Sequence, residues 1–280
     1  MRRLFRFLLV ALLLGAVLAS YGYWEETRTP IVRQASLALP GWPAGARPLR
    51  VVLFSDLHVG GPDMPPERVA RIVAQVNALA PDVVLIAGDF ITEKRLSTRL
   101  YAYPEALAPL AGLRPRLATV AVLGNHDHWR DAVAARRALI ANGVKVLDNQ
   151  AVQIGPLVVG GLDDSFTHHE DVPATLAAMR RLRGARILLS HDPDPFADLP
   201  PDIPLMVAGH THCGQVALPF YGAFRTMSRY GRRYACGRVE EGGKTLFVTA
   251  GLGTSGIPVR IAAPPDLWLL TLGPRPAAAR

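Results

Sequence analysis

The stretch LRVVLFSDLHVGGPDMPPERVARIVAQVNALAPDVVLIAGD, residues 49–89, decides the fold of this chain. It holds two apolar runs, LRVVLF and DVVLIA, on either side of an amphipathic segment near Pro66 to Leu79. Short apolar runs of this length predict buried strands, and the segment between them has the periodicity of a helix. A strand, a helix and a second strand in this order predict a parallel β-sheet.

The same alternation continues downstream, with helices predicted near Pro104 to Leu113, Asp131 to Asn142 and Pro173 to Arg183. Further strands are predicted at LATVAVL, VKVL, AVQI, LVVGGL, ARILLS, PLMVAG, KTLFVTA, IPVRI and LWLLTL. Many apolar strands with few late helices favour an α/β fold of two packed mixed β-sheets flanked by helices, an α-β-β-α sandwich. We expect one domain over residues 49–280, since a chain of this length can form one large domain.

The amino terminus predicts a membrane helix. Arg2, Arg3 and Arg6 precede the uncharged run FLLVALLLGAVLASYGYW, and about 18 helical residues span about 27 Å of hydrocarbon. Residues 1–24 are therefore predicted to be a transmembrane anchor. The alternative is a cleaved signal peptide, because residues 17–19, VLA, offer a small-residue cleavage site. The arginines favour a cytoplasmic amino terminus and an outward-facing domain.

Residues 25–48 are rich in proline, glycine and polar residues, and are predicted to be a linker that adds an edge strand near Ile31 to Leu39. The net charge of +8 suits an anionic partner. No basic helix or basic stripe spaced by aromatic residues stands out, so no nucleic-acid partner is expected. Two cysteines are too few for a disulfide framework. A reduced thiol at Cys213 is favoured over a bridge to Cys236, because Cys213 lies inside a histidine motif.

Polar side chains follow the predicted strands at the points where the strands end. They are Asp56 and His58, then Asp89, then Asn125, His126 and Asp127, then His191, and finally His210 and His212. Ligands of open α/β sheets bind beyond the carboxyl ends of the strands, so these side chains are expected to meet at one rim. Imidazole nitrogens mixed with carboxylate oxygens suit manganese, iron or zinc, whereas a calcium site would be all oxygen.

The series Asp56-x-His58, Gly88-Asp89, Gly124-Asn125-His126-Asp127, His191 and Gly209-His210-x-His212 resembles the signature of the calcineurin-like metallophosphoesterases, in the family's order. The likeness covers residues 51–212. Downstream, GHTHCGQVALP and TSGIPVRIAAPPDLWLL resemble a bacterial membrane-associated branch of that superfamily. Members of the branch include phosphodiesterases of broad activity and enzymes that cleave the pyrophosphate of UDP-diacylglucosamine.

The resemblance implies two divalent metal ions, with manganese favoured and iron or zinc as alternatives. One ion would be held by Asp56, His58, Asp89 and His212, and the other by Asp89, Asn125, His191 and His210. A hydroxide bridging the two ions would then attack phosphorus. By the same likeness His126 would hydrogen-bond the phosphoryl group or protonate the leaving oxygen, with Asp127 orienting its imidazole. The alternative for Asp127 is a cap on the helix predicted near Asp131.

Several residues lie outside this signature. His128, His168 and His169 match no position of it, and are expected at the surface. Cys213 stands where the branch has glycine, and is expected to be either a small apolar side chain beneath the site or a thiol beside a metal. The basic segment 224–238, FRTMSRYGRRYACGR, could clamp a second phosphate, lie on anionic lipid headgroups or form a solvated loop.

The sequence therefore predicts a membrane-anchored, binuclear hydrolase of phosphodiester or phosphoanhydride bonds. Its partner would be a phosphorylated small molecule or lipid, and a lipid-linked diphosphate fits the anchor and the basic segment best. The predicted location is a bacterial inner membrane, single-pass, with the domain on the periplasmic side, although a UDP-linked lipid would be met on the cytoplasmic face. The alternative is a catalytically weak membrane-bound sensor or scaffold. A covalent hydrolase is disfavoured, because no Gly-x-Ser-x-Gly elbow occurs.

Overall fold

A computed structural model describes residues 1–94, 96–218 and 220–274. It begins with helix α1 (Arg2–Thr27), which is long and apolar enough to cross a membrane. The side chains of α1 are exposed as far as Tyr21, whereas Gly22, Glu25 and Glu26 near its end are buried. The last turns of the apolar helix therefore belong to the packed domain that follows.

The strands of the described residues are, in chain order, β1 (Ile31–Ala38), β2 (Leu49–Phe54), β3 (Val83–Ala87), β4 (Ala118–Val122), β5 (Lys145–Val146), β6 (Gln150–Ile154), β7 (Leu157–Gly161), β8 (Ala185–Leu189), β9 (Leu205–Ala208), β10 (Ala217–Leu218), β11 (Gly222–Ala223), β12 (Gly237–Glu241), β13 (Lys244–Val248) and β14 (Asp266–Gly273). The helices after α1 are α2 (Pro66–Ala78), α3 (Tyr103–Leu107), α4 (Asn125–Arg130), α5 (Ala132–Ala141) and α6 (Val172–Arg180). Short 3₁₀ segments lie at Ala108–Gly112, Asp194–Asp198 and His212–Gly214.

The strands form two six-stranded mixed sheets. The first has the order β1-β14-β2-β3-β4-β5, and only the β14–β2 pair in it is antiparallel. The second has the order β12-β13-β9-β8-β7-β6, with parallel pairing from β13 to β7 and an antiparallel strand at each edge. Strands β10 and β11 form a separate hairpin.

The two sheets pack face to face with helices outside, which confirms the predicted sandwich. Leu53 and Leu85 of the first sheet share a buried core with Leu189 and Val207 of the second. Successive side chains of a strand point to opposite faces, so Val52 instead packs beneath α2. Both faces of the central strands are therefore covered, which explains why these strands are continuous apolar runs.

One strand prediction is wrong, and the strands β10, β11 and β12 were not predicted. The segment IPVRI is irregular, and only Ile261 forms a bridge, with Val216, because the side chain of Arg260 turns into the interior. Strand β12 was not predicted, because its sequence GRVEE is mostly charged and it lies at an exposed edge. The predicted edge strand near Ile31 is confirmed, since β1 pairs with β14 along its whole length.

Candidate metal centre

The loops that follow β2, β3, β4, β8 and β9 meet at one rim and carry the predicted site residues. Five of these residues have left-handed backbone conformations, with φ of 52° at Asp56, 44° at His58, 57° at Asp89, 69° at His210 and 50° at His212. Such conformations cost on the order of 1–3 kcal/mol each in non-glycine residues, and they concentrate at functional sites. The rim is therefore held in a strained shape by the packed strands beneath it.

Glycines allow the loops to approach one another closely. A Cβ added at Gly124 would lie 2.3 Å from Oδ1 of Asp89, and one added at Gly209 would lie 2.5 Å from Oδ2 of Asp56. Neither position tolerates a side chain without displacing a carboxylate of the site. The glycines that precede Asn125 and His210 in the sequence are thus explained by close packing.

A first cluster forms around Asp56. Nε2 of His58 lies 3.2 Å from Nε2 of His212, and Oδ1 of Asp56 lies 3.4 Å from the same atom of His212. The Oδ2 atom of Asp56 accepts hydrogen bonds from the Ser55 hydroxyl and from the backbone N–H of His210. Its Oδ1 atom is buried and has no hydrogen-bond partner among the described residues, so it is available to a cation.

A second cluster forms around His191. Its Nε2 atom lies 3.0 Å from Oδ1 of Asn125 and 3.1 Å from Nδ1 of His210. Its Nδ1 atom lies 2.7 Å from the carbonyl oxygen of Ala87, a position from which the ring N–H donates to that carbonyl. A hydrogen bond of this kind orients a ligating histidine and leaves Nε2 facing the cluster. Although burial opposes it, the carboxylate of Asp89 raises the pKa of His191 well above its ordinary value, so a bound cation would take the place of a proton at Nε2.

Asp89 lies between the two clusters. Its Oδ2 atom is 3.5 Å from Nε2 of His58 and 3.3 Å from Nε2 of His191. Its Oδ1 atom accepts a hydrogen bond of 2.9 Å from the backbone N–H of His126. One oxygen is therefore held by the backbone, while the other faces both groups of ligands.

The electrostatics of the rim suit divalent cations. Burial lowers the pKa of His210 to about 3, and lowers the pKa values of His58 and His212 well below their ordinary range. These imidazoles are therefore neutral, which ligation of a metal requires. Burial also raises the pKa of Asp56 to about 6, because an ionised carboxylate is costly away from water. A bound cation would remove that cost.

Groups of carboxylate and imidazole atoms within 4.8 Å of one another recur along the rim: Asp56 with His58 and His212, Asp89 with His191 and His210, and His58 with Asp89 and His126. Asp89 belongs to the second and third of these groups, and its Oδ2 atom also lies 3.5 Å from Nε2 of His58 in the first. Imidazole nitrogens, carboxylate oxygens and an amide oxygen fit a pair of divalent transition ions.

His126 lies at the mouth of the site. Its ring packs edge-on against His58, with centroids 4.7 Å apart, and against Trp129 at 4.9 Å. Its Nε2 atom is 3.4 Å from the hydroxyl of Ser255, and its Nδ1 atom has no hydrogen-bond partner among the described residues. The nearest carboxylate to Nδ1 is Glu93, at 3.8 Å.

The predicted contact of Asp127 with the His126 imidazole is wrong. Helix α4 turns the Asp127 side chain inward, where Oδ2 accepts the backbone N–H groups of Asp89 at 2.9 Å and Gly124 at 3.1 Å. Its Oδ1 atom accepts the N–H of Phe90 at 3.1 Å. The alternative, a cap on α5, is also wrong, because Asp131 caps that helix by accepting the N–H of Ala134.

The prediction of a reduced thiol at Cys213 is wrong. Cys213 and Cys236 form a disulfide, with their Cα atoms 4.7 Å apart. The pairing arises because the segment before Cys236 folds back over the second histidine loop, where the Thr211 hydroxyl donates to the carbonyl of Ala235 at 2.6 Å. The sequence separation of 23 residues gives no signal for this contact.

The remaining histidines lie away from the rim. His168 and His169 are exposed, as predicted, whereas His128 is half-buried. Nε2 of His128 is 2.8 Å from Oδ1 of Asp163, and its ring stacks on His169 with centroids 4.0 Å apart. The contact with Asp163 accounts for His128 without any ligand.

Most arginines of the basic segment already have partners. Arg233 makes a bidentate contact with Glu241, and Arg238 pairs with Glu240. Arg229 lies 3.7 Å from Asp194, and its side chain is largely exposed. A phosphate clamp by Arg233 would therefore have to break an existing ion pair.

Two cavities open beside the clusters. One of about 180 Å³ is lined by Asp89, Asn125, His126, Trp129, Phe166, His210, His212, Met227 and Ser255. The other, of about 430 Å³, shares Phe166 and Met227 with the first and also reaches Arg229. Sequence patterns do not indicate Phe166, Trp129 or Met227, because isolated apolar residues in loops or short helices show no periodicity.

Known proteins match this chain over most of its length. The family model for the calcineurin-like phosphoesterase matches residues 49–214. An uncharacterized metallophosphoesterase of Bacillus subtilis, YkuE, is 30% identical over 94% of this chain and 93% of its own length. An uncharacterized metallophosphoesterase of Aquifex aeolicus is 29% identical over 94% of this chain and 97% of its own.

A transmembrane protein with metallophosphoesterase domain from Danio rerio is 32% identical over 96% of this chain, which spans 63% of that relative. This relative and the apolar helix α1 together indicate a membrane protein. The family match covers more than half of the chain and includes every loop that meets at the rim. The chain belongs to the calcineurin-like phosphoesterase family, and it is a metal-dependent phosphoester hydrolase with a dinuclear metal site.

Proposed function

We propose that this enzyme hydrolyses phosphodiester or phosphoanhydride bonds with two divalent ions held at the sheet rim. The observation that carries the proposal is the position of Asp89 Oδ2, within 3.5 Å of ligand atoms in both clusters. A pair of bound ions supplies sites for the phosphoryl oxygens and a water of lowered pKa as nucleophile. The negative charge of Asp89 would offset the mutual repulsion of two cations bound in the two clusters.

The proposed ligands follow the two clusters. Asp56, His58, Asp89 and His212 would hold one ion, and Asp89, Asn125, His191 and His210 would hold the other. The oxygen of Asp56 without a partner among the described residues and the hydrogen bond between Nδ1 of His191 and the Ala87 carbonyl support this allocation. Manganese is the metal that we propose first, with iron and zinc as the alternatives, because the donors mix nitrogen and oxygen.

His126 is proposed to bind the transferring phosphoryl group or to give a proton to the leaving oxygen. Its place at the cavity mouth and its unpartnered Nδ1 atom support this role. Asp127 is proposed as a positioning residue, because it holds the backbone N–H of Asp89 and does not face the cavity.

The larger cavity is proposed to take the group beyond the scissile phosphate. Its volume of about 430 Å³ falls in the range of small-molecule sites, and it shares Phe166 and Met227 with the metal cavity. A lipid-linked diphosphate such as UDP-diacylglucosamine is the substrate that we place first. Its support is the docking of α1 onto the domain and the guanidinium of Arg229 at the cavity.

We propose a bacterial inner membrane as the location, with one spanning helix and the domain on the periplasmic side. The arginines before α1 support this orientation. The Cys213–Cys236 disulfide supports it independently, because disulfides persist in oxidising compartments. A UDP-linked lipid is met on the cytoplasmic face, so this location and this substrate conflict. A topology reporter fused to the carboxyl end would show on which side the domain lies, and hence which of the two proposals fails.

The experiment for the activity uses the full chain in detergent, stripped of metal by a chelator. Addition of Mn²⁺ should restore cleavage of an aryl phosphodiester, and a panel of nucleotide sugars, lipid diphosphates and cyclic nucleotides should then identify the substrate class. An Asp89→Asn variant is the matched control, and it should stay inactive with Mn²⁺ present. Metal binding without turnover of any substrate would instead favour the sensor or scaffold. The complete set of ligand residues disfavours that alternative.

A further inference from the structure

Large apolar side chains are exposed together on the hairpin of β10 and β11 and just beyond it. The exposed fractions are 46% for Leu218, 110% for Phe220, 53% for Tyr221 and 72% for Phe224. We call residues 217–224, without Pro219, the exposed hairpin. Clustered apolar side chains at a surface mark a site of interaction, whereas isolated ones do not.

The exposed hairpin leaves the domain close to the point where α1 emerges from it. The N–H of Ala217 donates to the carbonyl of Ile261 at 2.8 Å. The N–H of Arg260, the preceding residue, donates at 3.0 Å to the carbonyl of Gly22 in α1. Gly22 is the first buried residue of that helix. One short stretch of chain therefore connects the base of the hairpin to the junction of helix and domain.

Positive charge lies directly beside the exposed hairpin. Arg225 directly follows Phe224, is exposed, and has no ion-pair partner among the residues that the structure describes. The guanidinium of Arg232 lies over the ring of Tyr221, 4.5 Å from its centroid, and donates to the carbonyl of the same residue. Aromatic side chains with adjacent arginines suit the headgroup region of a bilayer, where apolar rings and cations are both stabilised.

Buried ion pairs join the end of α1 to the domain next to the exposed hairpin. Glu26 in the last turn of α1 is fully buried, and its carboxylate accepts from Arg68 at 2.9 Å and from Arg260 at 2.5 Å. Arg260 is also fully buried, and it donates to the carbonyls of Ala250 and Ala263. These contacts hold the end of α1, and hence the surface of a bilayer around it, close to the base of the hairpin.

We propose that the exposed hairpin is a second membrane contact, in which Phe220 and its apolar neighbours enter the headgroup region and Arg225 and Arg232 bind anionic lipid phosphates. This inference rests on the membrane anchoring by α1 in the proposed function. Met227, three residues beyond Phe224, lines the metal cavity. A lipid contact at the hairpin would thus place the cavity mouth near the bilayer surface, within reach of a phosphorylated lipid.

The test uses the full chain in vesicles of phosphatidylcholine with and without phosphatidylglycerol. Both cysteines of the chain are joined to each other, so a substituted cysteine is the only free thiol. A polarity-sensitive fluorophore is attached to Phe220→Cys, to Leu13→Cys within α1, or to Ile140→Cys on the exposed face of α5. Quenching by brominated lipid then reports which labels contact the bilayer.

We expect quenching at positions 13 and 220 and none at position 140. One arginine near an anionic membrane surface contributes about 1 kcal/mol to the free energy of membrane binding. Arg225→Gln should therefore lower the insertion of the position-220 label about fivefold in anionic vesicles. The same variant should leave insertion unchanged in pure phosphatidylcholine. A quenched label at position 13 with an unquenched label at position 220 would overturn the second contact and leave the anchor intact. An unquenched label at position 13 would overturn the anchor, and the hairpin proposal with it.

Discussion

The carboxylate of Asp127 accepts the backbone N–H of Asp89 at 2.9 Å. It also accepts the N–H groups of Phe90 and Gly124, so one buried side chain ties the loop after β3 to the start of α4. The Oδ2 atom of Asp89 faces both ligand clusters from that loop. Asp127 therefore acts on the site through the backbone of the residue between the two clusters.

Replacing Asp127 by asparagine should loosen this loop, because an amide NH₂ group would face backbone N–H donors. Loss of a partner that orients a ligand typically costs about 10- to 100-fold in metal affinity or activity, and we expect both to fall in that range. Mn²⁺ titration by calorimetry and steady-state kinetics measure the two effects. Asp131→Asn, at the cap of α5, is the matched control and should leave both unchanged. Unaltered metal affinity in Asp127→Asn would show that the hydrogen bonds from the backbone to Asp127 are not needed to position Asp89.

His126 and His128 lie two residues apart on α4 and offer a matched pair. His126→Ala should lower kcat by about 10²- to 10⁴-fold while Mn²⁺ still binds, because the proposed role is in proton transfer or phosphoryl binding. His128→Ala should retain kcat, since that ring is bonded to Asp163 outside the cavity. Equal losses in the two variants would argue that α4 is merely structural.

Glu26→Gln should destabilise the domain although the residue lies at the end of the apolar helix. Its carboxylate faces the buried guanidinium groups of Arg68 and Arg260, and breaking a buried ion pair costs about 3–5 kcal/mol. Thermal unfolding of the full chain in detergent provides the measurement. The control is Glu105→Gln, whose partner Arg99 is exposed, and the expected loss there is about 0–1 kcal/mol. An unchanged Tm in Glu26→Gln would mean that helix and domain are not coupled.

Reduction of the Cys213–Cys236 disulfide should lower the stability of the segment over the second histidine loop. A crosslink that closes a loop of this size contributes about 3 kcal/mol, so a reductant or the double serine variant should lower Tm by several degrees. Thiol titration of the denatured protein, prepared without reductant, should find no free thiol. Two free thiols in protein isolated from the membrane would contradict both the bridge and the outward orientation.

The sequence predicted the sheets and the rim because each depends on local patterns. Apolar runs marked the strands, and the residues directly after them, such as Asp56 and Asp89, were expected to meet wherever parallel strands end. The amide and imidazole of Asn125 and His191, far apart along the chain, were brought to 3.0 Å by that topology alone.

The features that were missed depend on contacts between distant segments. Glu26 and Arg260 are separated by 234 positions. Glu26 lies in the segment predicted to be a linker and Arg260 in the segment IPVRI predicted to be a strand, and neither pattern indicates a buried ion pair. The inward turn of Asp127 follows from the short helix α4, which was not predicted because the packing of loops, and not its own sequence, stabilises it. The Cys213–Cys236 bridge depends on a loop that folds back across the site in the same way.

The number of Mn²⁺ ions bound per chain tests the central claim most directly. Calorimetric titration of the metal-free full chain should show about two sites, as a shared carboxylate between two clusters requires, with hydrolysis appearing only once both are filled. Asp89→Asn should lose tight binding at both sites, because its oxygen faces ligands of each. Full hydrolytic activity in a chelator, or with a single ion bound, would contradict the account.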